Sequence, residues 1–505
     1  MMLQGLGKDR GSAAKAPADL SARPVLLLTA GRTLALAVTF VTPLALARIF
    51  DLAEFGTYKQ LLLVYSTLIV IAQLGMAESL FYFLPYAPRR GGRYVMNALL
   101  ALAGSGLVCL GLLVLTGPYL SRRLGNAALS GFSGLLGAWL MFMLPSTVLE
   151  IVMTARKRYL GAGVTYALSD LLWAIALVVP AVVSGRLEWL LASAVVFGAV
   201  RLGGTLLYIG REFGVELRFN GAALREQIAY ALPLQLGLVF RTLLANLHYY
   251  VVAASVDAAT FAIYAVGCFQ IPFVDLVVTP TGNVMMVRMR EAVTAGRPGA
   301  VLATWHDATY KLALFFLPMI GILVVTAREV IPFLFTARYD ASITIFMVWS
   351  VAHLPVILPT EGVLRAHGDA HALAVLYAIQ LLLTAGLVLP FMWAFGLIGP
   401  VLATGLAAGI GRSLGLFRAR RLMGVTFAEL LPWRGLGEVV GAAAVSGLVA
   451  VAAKAHLAAA PLPLLVVTSC VYAATYVGIL AARRGLDTGM GQTTIGRIRL
   501  GLRGQ

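Results

Sequence analysis

Charge is scarce in this chain. Only 12% of its 505 residues are Asp, Glu, Lys or Arg, where a soluble domain carries about 25%. Acids are scarcer still, 22 against 39 Lys and Arg. The three cysteines, Cys109, Cys268 and Cys470, each fall inside an apolar run. They are too scattered for a metal site and read as packing residues. No connector between apolar runs exceeds about 25 residues, which leaves no room for a soluble catalytic domain. The sequence also lacks an Asp-x-Asp loop, a His-Glu-x-x-His helix and a phosphate-cradling glycine motif. An enzyme is therefore not expected, and neither a cofactor nor a metal is called for.

What is present is apolar length. The chain is 60% hydrophobic, and apolar runs of about 20 residues recur from Val25 to Ala482. Such runs match the thickness of a bilayer, so the fold class is an all-α polytopic membrane protein. We read about 14 transmembrane helices, the first at 25–47 and the last at 461–482. The ninth, 311–327, is short and runs into the amphipathic stretch REVIPFLFTARYD. Residues 1–24 are polar and basic and read as a disordered cytoplasmic tail. They do not form a cleavable signal, because the apolar run behind them is of full span length and lacks a small-residue cleavage site. Residues 483–505 form a second basic cytoplasmic tail.

A net charge of +17 raises the question of nucleic acid. The distribution answers it: Lys and Arg alternate between faces, 27 on one and 8 on the other, with four inside spans. That is the pattern of membrane topology, with both termini on the basic, cytoplasmic side.

The rare polar and proline positions recur at one spacing. Arg32 and Arg241 are 209 apart, each opening Arg-Thr-Leu; Pro145 and Pro355 are 210 apart; Glu150 and Glu361, and Arg201 and Arg412, are 211 apart. Four matches at one offset predict two pseudo-symmetric six-helix bundles, 25–212 and 229–422, joined by an amphipathic cytoplasmic link at 213–228. The longest connector, Met289–Lys311, also reads as amphipathic. Helices 13 and 14, at 432–482, lie outside the repeat. An even number of spans keeps orientation, so the halves are parallel and their axis lies along the membrane normal. Such an arrangement implies alternating access with a midplane site. A channel is the physical rival, but no filter-like sequence is visible.

The intramembrane arginines are the candidate substrate-binding residues. Arg241 lies near the middle of REQIAYALPLQLGLVFRTLLANLHYYVVAASVD, sixteen residues from each charged end. That is about 24 Å from either end. An arginine so deep costs about 2.5–3.5 kcal/mol on insertion scales, and faces a water-filled cavity or a partner. Arg201 lies about 15 Å in and Arg32 about 13 Å. Arg412 is six residues from Arg418 and can snorkel. A largely cationic cleft suits an anionic substrate, since a guanidinium fork matches phosphate or carboxylate oxygens. The alternative is an arginine held by a buried carboxylate. The intramembrane acids are Glu78, Glu150, Asp170, Asp275 and Glu361. Glu150 and Glu361 lie within two turns of basic residues and read as salt-bridge partners. Asp170 and Asp275 lie deeper and are candidates for proton or ion coupling. His353 and His248 titrate near neutral pH in isolation, but a lone histidine in a span is commonly a helix–helix hydrogen bond. Gln73, Gln235, Asn246 and Gln270 either line a polar cleft or join helices.

At these residues the chain resembles a family. LARIFDLAEFGTYKQLLLVYSTLIVIAQLGMAESLFYFLP is similar to the first two spans of bacterial polysaccharide and oligosaccharide flippases, with an acidic turn before Phe55-Gly56-x-Tyr58 and a Leu74-Gly75 pair. These flippases belong to the multidrug/oligosaccharidyl-lipid/polysaccharide exporter superfamily. YALPLQLGLVF, AIYAVGCF and FGLIGPVLATGLA agree in the second half, so the likeness covers about 25 to 422. It implies a two-lobed fold in the bacterial inner membrane that exports undecaprenyl-diphosphate-linked oligosaccharide for O-antigen, capsule or exopolysaccharide biosynthesis. Membrane lipid is an expected partner, with a polymerase and glycosyltransferases of the same pathway. Helices 13 and 14 are similar to those of fourteen-helix members, including the lipid II flippase. That function and a cation-coupled multidrug exporter are the alternatives; an integral polysaccharide polymerase fits least.

The topology is directly testable. Reporter fusions at Gln505 and at Asp257 should give cytoplasmic and periplasmic signals respectively; a periplasmic signal at Gln505 would refute the assigned sidedness.

Overall fold

The computed structural model describes residues 40–86, 90–269, 273–457 and 460–501. Arg32 and residues 1–24 lie outside the described residues, as do Gln270 and the side chain of Asp275. The described residues form helices joined by short turns, with no strand among them. The first half contains α1 (Phe40–Ile49), α2 (Leu52–Ala72), α3 (Met76–Tyr86), α4 (Gly91–Arg123), α5 (Ala128–Ser146), α6 (Val148–Ala155), α7 (Tyr159–Ser184) and α8 (Leu187–Phe213). The second contains α9 (Gly221–Ala253), α10 (Ala258–Gly267), α11 (Phe273–Thr294), α12 (Pro298–Val325), α13 (Ala327–Phe335), α14 (Ser342–Ala352), α15 (Thr360–Ala366), α16 (Ala370–Phe395) and α17 (Gly399–Met423). The short α18 (Phe427–Leu430) leads to the pair α19 (Trp433–Ala455) and α20 (Pro461–Gly501).

Eleven stretches of the described residues are long and apolar enough to cross a membrane, against about fourteen expected. Two sources of the difference are visible. Phe40–Ile49 and Ala258–Gly267 are apolar but short, and 370–423 is one apolar stretch holding the hairpin of α16 and α17. Met289–Lys311 is not a loop. The flanking helices run on into it past their apolar segments and leave a turn at 295–297.

The halves share a pattern of interruption. The second crossing is split between α2 and α3, and its counterpart between α10 and α11. The fourth is split between α5 and α6, and its counterpart between α14 and α15. Proline supplies two of the breaks. Pro145 precedes the first, and Pro355 and Pro359 sit in the second. At the α2–α3 break Leu74 and Gly75 have φ of 51° and 67°. A side chain at Gly75 would also meet Ala231 O on α9 at 2.8 Å, so only glycine suits the position.

The second crossings begin alike. Asp51 caps α2, accepting from Glu54 N at 2.8 Å, and Asp257 caps α10, accepting from Thr260 N at 2.7 Å. Asp51, Phe55 and Tyr58 recur as Asp257, Phe261 and Tyr264, each 206 residues on. These equivalent helices pack on one another across the interface. A Cβ on Gly56 would collide with the carbonyl of Ala258, so the absence of a side chain is what lets the backbones meet.

One apolar core spans both halves at this sparsely charged end. It joins Phe50, Phe55 and Leu61 of the first half to Phe261, Tyr264, Phe335 and Tyr339 of the second. At the opposite, basic end the second half has a separate core, with Met285, Met289, Trp305, Leu364 and Ala419. The halves are thus fused at the sparsely charged end. A reciprocal exchange of arginines reinforces the closure. Arg48, near the end of α1, donates through Nε to Leu334 O at 3.2 Å and through Nη2 to Phe333 O, at the C-terminus of α13. Arg338 donates in return to Phe50 O at 3.4 Å, just past α1. Each cation caps the negative end of the other half's helix. At the basic end the main tie is α9 itself. Gln227 donates to Ser79 Oγ and Tyr94 O, both at 3.2 Å, and Tyr94 donates to Glu226 Oε2 at 2.8 Å.

Replacing both Arg48 and Arg338 by Ala should loosen this closure without unfolding either half. In a background with Cys470→Ser and Ala258→Cys, labelling by a membrane-impermeant maleimide should rise several-fold when both arginines are removed. Unchanged labelling would show that the apolar contacts alone hold the end shut.

Candidate functional site

Helix α9 belongs to both halves. Asn220 caps it, accepting from Ala223 N at 2.8 Å. Along one face Gln235 donates to Val70 O, Asn246 donates to Thr67 Oγ1 at 2.8 Å, and Tyr250 donates to Leu63 O at 3.3 Å, all on α2. Gln235 and Asn246 therefore join helices. His248 joins α9 to α10, its Nδ1 lying 2.6 Å from Tyr264 Oη.

Arg241 lies about 120° around the helix from Gln235, since successive residues turn by about 100°. Its side chain is exposed. Among the described residues none forms a hydrogen bond or an ion pair with it. Its flanks Leu238 and Phe240 are exposed as well, at 42% and 51%. The polar stripe thus holds α9 against α2, other contacts hold it against α16 and α10, and the surface around Arg241 stays exposed.

The other two described arginines are paired. Arg201 on α8 donates through Nη2 to both carboxylate oxygens of Glu150 on α6, at 2.8 and 2.9 Å. Arg412 on α17 reaches Glu361 on α15 at 3.1 Å and donates to Thr360 Oγ1 at 3.3 Å. The partners in the second pair stand 211 residues from those in the first, so one ion pair is built twice. The breaks in the fourth crossings explain the geometry. Each restarts a short helix, and each carboxylate sits in its first turn, where the dipole favours negative charge. Arg201 and Arg412, expected among the substrate-binding residues, thus have carboxylate partners. Only the remainder of each guanidinium faces anything else.

The two copies differ in depth. The Glu150 and Arg201 side chains are 1% and 15% exposed, those of Glu361 and Arg412 34% and 23%. Glu361 also meets Arg365 at 3.5 Å. Asp170 on α7 is half-buried within electrostatic reach of Arg201 and Glu150. The first half therefore gathers two carboxylates around one arginine. Glu78, in the first turn of α3, is half-buried, and its Oε2 has no hydrogen-bond partner among the described residues. His353 gives its Nδ1 to Trp349 O at 2.8 Å within its own helix. Asp275 lies on α11.

Several contacts have no counterpart in the sequence argument. Arg48, Arg338 and Lys59 fall near connectors and were counted there as topology signals, yet Lys59 lies inside α2 with its ammonium 5.3 Å from the Phe55 ring. Trp139 and Trp349, 210 apart, are a repeat pair that the offset could have revealed. Lys454 on α19 meets Glu329 on α13 at 2.7 Å, a tie between the helices outside the repeat and the helix that Arg48 caps.

Breaking the buried pair by Arg201→Ala strands a carboxylate in a low-dielectric interior. The expected loss is about 3–5 kcal/mol, seen as a lowered unfolding midpoint in detergent and reduced membrane abundance. Arg412→Ala should cost about 1 kcal/mol or less, because its partner is more exposed and retains Arg365. Equal losses would contradict the difference in depth.

Comparison with known proteins places this architecture. The family model for "Polysaccharide biosynthesis protein" matches residues 45–344. A search of curated proteins finds no match. Among solved structures, the fold is similar to the lipid II flippase MurJ in its inward closed conformation, at 12% identity and a TM-score of 0.70, covering 92% of this chain and 100% of that one. It is also similar to a multidrug resistance MATE family transporter of the MOP superfamily in its inward-facing conformation, at 13% identity and a TM-score of 0.57, covering 80% and 99%. The outward-facing form of such a transporter gives 13% identity and a TM-score of 0.54, covering 80% and 96%. At these identities the likeness is one of fold, whereas the family match extends over more than half of the sequence. The chain is a multi-pass membrane protein that belongs to the polysaccharide biosynthesis protein family.

Proposed function

We propose that this protein is a flippase. It carries undecaprenyl-diphosphate-linked oligosaccharide across the inner membrane by alternating access, for O-antigen, capsule or exopolysaccharide synthesis. The observation that carries the reading is Arg241, an exposed arginine with no partner among the described residues, on a helix that packs against both halves. A charge so deep in a span has to be wet or paired. We therefore assign it to an aqueous cleft, where its planar fork holds the diphosphate. Arg32, its repeat partner, is assigned to the same cleft. Arg201 and Arg412 stay beside it, each committed first to its carboxylate.

With the basic end in the cytoplasm, and both termini there, the fused end faces the periplasm. The described conformation is then one that receives substrate from the cytoplasmic leaflet. Opening outward requires the Arg48 and Arg338 contacts to part. Asp170, Asp275 and Glu78 are our candidates for coupling this change to protons or ions. No step in the cycle makes or breaks a substrate bond, so the protein acts as a carrier, alongside a polymerase and glycosyltransferases of the same pathway. Lipid II carries the same diphosphate and is the second reading, supported by the likeness of fold over 92% of the chain.

The test is a double measurement on Arg241→Ala and Arg241→Lys in a flippase-null strain, reading membrane abundance and surface polysaccharide. Ala should abolish export at normal abundance. Lys, which keeps charge but loses the fork, should retain part of it. Normal export by Arg241→Ala would end the assignment. Complementation of a lipid II flippase deletion, without restoration of polysaccharide, would favour the second reading.

A further inference from the structure

The halves differ where they should match. In the first, Trp139 on α5 stacks on Tyr65 with ring centroids 3.7 Å apart and on Trp173 at 4.8 Å, and Trp173 in turn meets Phe197 at 5.5 Å. The space beside the Glu150–Arg201 pair is filled with aromatic rings. In the second half the repeat partner of Trp139 is Trp349, and the partner of Phe197, 211 residues on, is Ala408. The smaller side chain leaves a cavity of about 150 Å³ between the break after α14 and helix α17, lined among others by Trp349, His353, Thr404, Ala408 and Arg412.

The cavity is polar in a particular way. Trp349 is 7% exposed and its indole N–H has no hydrogen-bond partner among the described residues, as is also true of Trp139 in the first half, although indole nitrogen can only donate. Arg412 presents what remains of its guanidinium. His353, with Nδ1 committed to Trp349 O, keeps Nε2 as an acceptor. Thr404 spends its hydroxyl proton on Pro400 O at 2.8 Å. Among the described side chains the nearby carboxylate, Glu361, is engaged, its two oxygens facing Arg412 and Arg365 at 3.1 and 3.5 Å. Two cations against one anion leave a net positive charge beside the cavity. Among the described residues a metal cation would find a single imidazole nitrogen, of His353, and no uncommitted carboxylate. The volume is also far below the roughly 300–1,000 Å³ of sites for larger organic ligands, so a sugar-diphosphate headgroup does not fit.

We propose that this cavity in the second half binds a small monovalent inorganic anion, of the chloride or bicarbonate class, held by the Trp349 N–H and the Arg412 guanidinium. The site lies at Arg412, which the proposed function sets beside the cleft at Arg241, and it does not rest on the identity of the transported substrate. Its occupant neutralises the excess charge beside the Arg412–Glu361 pair and braces the break between α14 and α15. The first half needs no such occupant, since its own aromatic rings fill the space.

The experiment uses the purified full-length protein in detergent, with sodium chloride exchanged for sodium gluconate at constant ionic strength. The wild type should show a saturable rise in unfolding midpoint with chloride, and bromide, nitrate and bicarbonate should be tried in the same way. Ala408→Phe supplies the side chain that the first half uses at this position and should abolish the rise. Trp349→Phe keeps the bulk but removes the donor and should weaken apparent affinity about tenfold or more. Arg241→Ala should leave the rise intact. No response of the wild type to any of the four anions would overturn the proposal. So would a response that survives Ala408→Phe, or one lost in Arg241→Ala, which would place the anion in the central cleft.

Discussion

A charge taken into a bilayer has to be neutralised by a partner or kept in water, and this constraint orders much of the molecule. The polar residues inside the spans are few, so each can be followed. Glu150 and Arg201 neutralise one another in the first half, and Glu361 and Arg412 do so in the second. Each pair joins the second piece of a broken helix to a long unbroken one. The breaks and the pairs are therefore one device. Interrupting the helix frees an N-terminus that welcomes a carboxylate, and the carboxylate then fixes the interrupted piece against its neighbour. A helix that must bend during transport can be broken in this way without losing its place.

The same constraint explains why the sparsely charged end is closed with backbone acceptors. Helix carbonyls at the ends of α13 and α1 supply partial negative charge without a titratable group. They also belong to their helices, so in the alternating access proposed above the contacts would part as a unit. Lys454 and Glu329 extend the connection to α19. The helix pair outside the repeat is thereby tied to the piece of the second half that meets the first.

The fold was legible in the sequence because hydrophobic length and charge alternation are coarse signals that survive any detail of packing. The duplication was legible for a narrower reason. In spans nearly free of charge, each Glu, Arg and Pro is conspicuous, and a shared offset marked Glu150 with Glu361 and Arg201 with Arg412 as repeat positions, while leaving unseen that each acid pairs with the arginine of its own half. Other features carried no such mark. Asp170 reaches Arg201 from a neighbouring helix, a relation with no sequence spacing to betray it. The match of Asp51, Phe55 and Tyr58 with Asp257, Phe261 and Tyr264 runs at 206, and so fell outside an alignment held at 210. The arginine exchange was invisible because its acceptors are carbonyls, which every residue has. Counting Arg48 and Lys59 as loop charges served the topology but hid their contacts.

Of the three intramembrane arginines described, Arg241 is the one that remains when the paired ones are set aside. Its neighbours on α9 fix the helix through Gln235, Asn246 and Tyr250, so the arginine is not needed to hold the helices together. Symmetry adds a constraint. Its repeat partner is another arginine, Arg32, and not an acid, so the repeat gives this pair of positions two positive charges and no built-in neutraliser. The duplicated pairs show what the same repeat does when the need is structural: it places a carboxylate within reach of each arginine. Where it leaves the acid out, the neutralising charge has to come from outside the repeat. Under the function proposed above, the substrate is the one component that can arrive with that charge and leave with it.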